Sequence, residues 1–136
     1  MATPTPPPAP SPTRGRLLVV DDEQTMCLLL SKYFSSKGYE VRAVQRGEEA
    51  VALVGVFHPD VVLLDLLMPG MSGAEVLKVL KQMQPVPRVI MLSAADHEDV
   101  IKGALALGAD HYACKPVNFS ELEHLVSGIS PSKPPH

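Results

Sequence analysis

The chain has 136 residues, 46% apolar and 20% charged, with a net charge of −3, which suits one globular domain that needs no disulfide or metal to staple its core. The mild acidity excludes a basic stripe for a phosphate backbone, and hence direct nucleic-acid binding. Apolar runs such as Val61–Leu64 are far short of the roughly 20 residues that span a bilayer, and no basic segment followed by an apolar one marks a secretory signal.

Proline is the compositional anomaly: 14 in 136 residues, about twice the usual share. Six of them lie between Pro4 and Pro12 and three between Pro131 and Pro135. Residues 1–14 and 130–136 therefore read as Pro-rich tails that bury no apolar area and are extended or disordered, and residues 15–129 as the domain. A Pro-rich tail can serve as an SH3-type ligand, but a plain linker is the simpler reading. Cys27 and Cys114 read as free thiols in a reducing, cytoplasmic setting.

Within the domain, apolar tetrads alternate with helical patterns. Leu17–Val20 is the first strand. A helix follows near 24–37, with Met26, Leu29, Leu30, Tyr33 and Phe34 on its apolar side and Gly38 closing it. Tyr39–Val44 reads as a strand, 47–55 as a short helix, Asp60–Leu64 as a strand and 72–83 as a helix that Ser72 and Gly73 introduce. Arg88–Leu92 is the fourth strand, 97–107 a helix closed by Gly108, and Asp110–Cys114 a weaker strand. The last helix is expected over 119–129, capped by Asn118 or Ser120, with Leu122, Leu125, Val126 and Ile129 inward. Five strict β–α units predict an α/β fold with a parallel sheet. The uniformly apolar strands are covered on both faces, whereas 39–44 and 111–114 are mixed and read as edges. The expectation is a doubly wound five-stranded sheet of order 2-1-3-4-5 with five helices.

Polar residues sit at four of the strand ends: Asp21-Asp22 after the first, Asp65 after the third, Ser93 after the fourth and Lys115 after the fifth. The separations 21 to 65, 65 to 93 and 93 to 115 are 44, 28 and 22 residues. They match two, one and one β–α units, so all four positions fall at the carboxyl edge of the sheet, where doubly wound folds bind ligands. Any one of them alone is an ordinary helix cap or surface lysine; the common register is what carries the signal. Three adjacent carboxylates need a cation. Lys115 supplies one charge and a divalent ion two, and all-oxygen ligands favour Mg²⁺. A hard cation, a hydroxyl, a lysine and an aspartate form a set that handles phosphoryl groups.

The stretches LLVVDDE (17–23), VVLLDLLMPGMSG (61–73), VIMLSA (89–94) and GADHYACKP (108–116) resemble those of response-regulator receiver domains, the CheY-like form of the flavodoxin fold. The resemblance implies a signalling switch of two-component systems rather than a turnover enzyme. Asp65 would be the phosphoacceptor, and Asp22, Asp65 and the Leu67 carbonyl would ligate Mg²⁺, with Asp21 acting through water. Ser93 and Tyr112 would be the switch pair, and Lys115, followed by a cis Pro116, would pair with the phosphoryl group. A histidine kinase or histidine phosphotransfer protein would be the donor, and an unidentified protein the downstream partner. Leu67 and Ala95 are apolar where polar groups can orient attacking water, which predicts slow to moderate dephosphorylation.

Two other chemistries fit less well. A haloacid-dehalogenase phosphatase needs a second Asp two positions after its nucleophile, where Leu67 stands, and an FMN carrier needs a phosphate loop where Asp22-Glu23-Gln24 would repel one. A phosphate relay, or a binding module with a receiver fold that works without phosphorylation, remains the alternative. The chain reads either as a stand-alone receiver or as one cut from a longer regulator.

Overall fold

The computed structural model describes residues 13–128. Its elements are β1 (Arg16–Val20), α1 (Gln24–Ser36), β2 (Glu40–Val44), α2 (Gly47–Phe57), β3 (Val61–Asp65), α3 (Gly73–Leu80), β4 (Arg88–Ser93), α4 (Glu98–Ala106), β5 (His111–Cys114) and α5 (Phe119–Gly128). The five strands are parallel, in the order β2-β1-β3-β4-β5, as the alternation of apolar runs and helices predicts. The tail segments 1–12 and 130–136, and Ile129, which the sequence places in the last helix, lie outside the described residues. Arg14 is bonded to the domain, its N–H donating to the Gly38 carbonyl at 2.9 Å.

The inner strands β1 and β4 bury every residue but their first, and β3 between them is buried throughout. Because side chains alternate across a sheet, each inner strand feeds two cores. Leu18, Val20, Val62, Leu64, Val89 and Met91 pack with α2, α3 and Ala104 of α4. Leu17, Val19, Val61, Leu63, Ile90 and Leu92 pack with Cys27, Leu30 and Phe34 of α1 and with Leu122 and Val126 of α5. The edge strands β2 and β5 contain no fully buried position, which matches their mixed sequences.

Local differences have local causes. Leu29, expected on the inner side of α1, is 48% exposed; the buried stripe is Cys27, Leu30 and Phe34. Those three recur at i, i+3 and i+7, and Leu29 lies outside that arc. Helix α2 runs past Gly55 to Phe57 because burial of Phe57 outweighs the roughly 1 kcal/mol cost of an interior glycine. It ends on His58 in a left-handed conformation, φ 53°. Helix α3 stops at Leu80, three residues before the expected end. Ser72 caps it by accepting from the Glu75 N–H at 3.3 Å, and the Asn118 carboxamide caps α5 by accepting from the Glu121 N–H at 3.0 Å.

Candidate functional site

The strand register brings the polar ends together. Val20 pairs with Leu64, Asp65 with Leu92 and Ser93 with Cys114, so β1, β3, β4 and β5 finish nearly flush. Asp21 follows β1 directly, Asp65 and Ser93 are the last residues of their strands, and Lys115 follows β5. Residues as distant in the chain as Asp22 and Lys115 thereby line one cleft of about 270 Å³, together with Glu23, Asp65, Leu67, Ser93 and Ala94. A depression of about 320 Å³ between β5 and α5 holds one carboxylate, Glu121, and no such cluster.

Lys115 is the electrostatic centre. Its Nζ donates to Asp21 Oδ2 at 2.7 Å, Asp65 Oδ2 at 3.3 Å and Glu23 Oε1 at 3.3 Å. Burial works against its charge, but the Asp21 hydrogen bond and the Asp65 and Asp21 charges outweigh it and hold its pKa above the ordinary lysine range. Asp65 is buried, and that burial pushes its pKa up to about 6, although the Leu67 N–H and the Lys115 charge act in the opposite direction. The two shifts are compatible, because Lys115 lies closer to Asp21 than to Asp65 and leaves the Asp65 carboxylate incompletely neutralised.

The remaining donors are tightly arranged. Asp21 is buried, with Oδ1 accepting from the Glu23 N–H at 2.9 Å and Oδ2 held by Lys115. Asp22 is exposed and faces the cleft. The Leu67 N–H donates to Asp65 Oδ1 at 3.1 Å. The Cys27 thiol reaches the Asp21 carbonyl at 3.2 Å and the Val44 carbonyl at 3.7 Å, tying α1 to the strand ends; burial pushes that thiol's pKa up. Ser93 and Tyr112 meet at the Ala95 backbone: Ser93 Oγ accepts from its N–H at 3.2 Å, and Tyr112 donates to its carbonyl at 2.6 Å. The Lys115–Pro116 bond is cis, and so is Gln84–Pro85.

The donor set fits a hard divalent cation. Carboxylate oxygens of Asp21, Asp22 and Asp65 all lie within 4.8 Å of one another, every candidate ligand is oxygen, and one lysine cannot balance three carboxylates. Glu23 is the site residue that sequence reasoning missed. It is adjacent to Asp22, but its approach to Lys115, 92 positions away, exists only in the fold.

A sequence profile described as the response regulator receiver domain matches residues 17–127. The chain belongs to the response-regulator receiver family. It is 38% identical over 109 residues to the DNA-binding response regulator MtrA of Mycolicibacterium smegmatis, covering 80% of this chain and 47% of that protein. It is 35% identical over 118 residues to the sporulation initiation phosphotransferase F of Bacillus subtilis, covering 87% of this chain and 95% of that one. The receiver spans about half the length of the MtrA relatives it matches. Among solved structures, the receiver domain of a Francisella response regulator superposes with a TM-score of 0.81 at 29% identity, over 85% of this chain and 96% of that one. Chemotaxis protein CheY4 of Vibrio cholerae gives 0.79 at 27%, over 84% and 97%. Receivers of this family are phosphorylation-activated switches that work with histidine kinases or phosphotransfer proteins. Among the described residues no helix is long and apolar enough to cross a membrane.

Proposed function

We propose that Asp65 accepts a phosphoryl group from the phosphohistidine of a histidine kinase or phosphotransfer protein, and that Ser93 and Tyr112 convert the new charge into a change of the partner-binding face. The observation that carries this reading is the convergence of Asp22, Asp65, Ser93 and Lys115 on one cleft, with Asp21 bonded to Lys115. Asp22, Asp65 and the Leu67 carbonyl would hold a Mg²⁺ ion, with Asp21 acting through water, and the ion would neutralise charge on the phosphoryl oxygens.

The chain's own residues do the rest. An Asp65 oxygen attacks phosphorus in line as the phosphorus–nitrogen bond of the donor breaks, and the imidazole leaves with the electron pair. Exposed Ala94 leaves the approach open. Lys115, already bonded to Asp65, turns toward the phosphoryl oxygens. Ser93 Oγ leaves the Ala95 N–H to donate to the phosphoryl group, which unlocks the Ala95 backbone that also holds Tyr112. The result is a population shift driven by about two new negative charges. The cycle runs through these residues as acceptor and switch without turning over a diffusible substrate. A switch that works this way acts in the cytoplasm, where phosphohistidine donors present their histidines.

A phosphotransfer profile against histidine kinases and a phosphorylated histidine phosphotransfer protein tests this, comparing wild type with Asp65→Asn. Label on the wild type that is absent from the variant is the expected result; persistent label on the variant would remove Asp65 from the role. Back-transfer from Asp65 to a phosphotransfer histidine would favour a relay, which the likeness to the sporulation phosphotransferase supports. Leu67, 61% exposed at the cleft, and Ala95 offer no polar side chain to an attacking water, so slow to moderate dephosphorylation is expected. A half-life of a few seconds would overturn that point.

A further inference from the structure

The segment between β3 and α3 carries Leu67, and the first turn of α2 grips it. The Glu48 carboxylate accepts from the Met71 N–H at 3.1 Å, across 23 positions of sequence. It also lies over the neighbouring turn, where Gly70 has φ +74° and a Cβ would stand 3.3 Å from Glu48 Oε1. Gly47 brings the α2 backbone close enough to make that contact: a Cβ on it would stand 2.7 Å from Val76 Cγ2 and 2.9 Å from the Met71 carbonyl. At the loop's other end, the Gly73 N–H donates to the Leu66 carbonyl at 3.0 Å. Between these two fixed ends lies Leu67, bonded through its N–H to Asp65.

We propose that Glu48 is a positioning residue for phosphoryl acceptance, holding the β3–α3 loop through the Met71 N–H so that Leu67 presents its carbonyl to the cation and its N–H to Asp65. This rests on the metal reading given above. Glu48 is exposed, and an exposed carboxylate with one backbone hydrogen bond contributes little to global stability. Its effect is confined to the loop, where a small displacement of a ligating carbonyl matters. Its role is geometric rather than that of a distant charge, so an uncharged acceptor of the same length suffices.

The test uses nitrogen-15-labelled full chain, with Mg²⁺ titrations followed at the Leu67 and Met71 amides and hydrogen exchange of the Met71 amide measured without metal. Glu48→Ala is expected to speed Met71 exchange on the order of tenfold, the worth of one hydrogen bond. It is expected to weaken Mg²⁺ about tenfold, as loss of an outer-shell partner does, with the urea midpoint unchanged. Glu48→Gln is expected to stay within about threefold of wild type, since a neutral bond is about half as strong as a charged one. Wild-type Mg²⁺ affinity in Glu48→Ala, or equal losses in both variants, overturns the proposal while leaving the metal reading standing. A wild-type chain that binds no Mg²⁺ overturns both.

Discussion

Asp65 is held at a cost to the resting molecule. Its carboxyl is buried and pushed up to about 6, so the folded state binds a proton more readily than the unfolded one. For an acid whose folded pKa is raised, stability falls as pH rises from the unfolded value of about 3.9 through the folded value. Asp65→Asn removes that loss. In chelator, the variant is expected to be more stable than wild type by about 1–3 kcal/mol at pH 7.5, with the gap narrowing toward pH 5. Urea melts at the two pH values check this, and a variant less stable than wild type at pH 7.5 would contradict it. Lys115 is the counterpart, with its side chain 11% exposed and three carboxylates around it. Lys115→Ala leaves Asp21 and Asp65 facing each other unpaired, at an expected cost of about 3 kcal/mol. Saturating Mg²⁺ should recover part of it; equal losses with and without Mg²⁺, read from thermal melts, would count against shared neutralisation.

At the scale of elements, Asp110 does for the amino edge of the sheet what Lys115 does for the carboxyl edge. Its Oδ2 accepts from the Val89 N–H at 2.8 Å and from Lys81 Nζ at 3.1 Å, and its Oδ1 from Arg88 at 3.2 Å. One carboxylate thus joins the end of α3, the start of β4 and the approach to β5. Burial raises its pKa, but the Val89 N–H and the Lys81 and Arg88 partners outweigh burial and hold it below the ordinary carboxylate range. A depressed folded pKa gives stability that is present above about pH 4 and is lost as pH falls through the folded value. Asp110→Ala is therefore expected to cost about 2 kcal/mol at neutral pH, and the wild-type advantage should shrink below pH 4. A difference that does not change with pH in denaturant titrations would mean the clip works by packing instead. Sequence reading assigned Asp110 only a strand position. Nothing in periodicity signals that its carboxylate bridges residues 21 and 29 positions away.

For the whole molecule, the cores are unequally anchored. Helix α1 inserts Cys27, Leu30 and Phe34, whereas Ala104 is the only buried residue of α4, and Leu105 and Leu107 beside it are 43% and 39% exposed. Little apolar contact means a low free energy of local opening. Helix α4 starts five residues after Ser93 and adjoins the Ala95 backbone that Ser93 and Tyr112 share, so the least buried of the helices stands next to the proposed switch pair. Amide exchange is expected to open α4 well before β1, β3 and β4; protection in α4 equal to that of the central strands would contradict this.

The sheet order and the edge at which the site forms are already legible in the residues. Apolar strand runs, mixed edge strands and the spacing of Asp21-Asp22, Asp65, Ser93 and Lys115 are local or periodic signals, and a parallel β–α chain can satisfy them in few ways. Which side chains meet is set by the packed fold. Glu23 on Lys115, Glu48 on the Met71 amide and Asp110 on β4 are contacts between residues distant in the chain. Leu29 turns outward because α1 settles on the sheet along the Cys27–Phe34 stripe. Periodicity specifies a face, but the rotation of a helix on its sheet and the reach of a polar side chain depend on the packing of all the elements together.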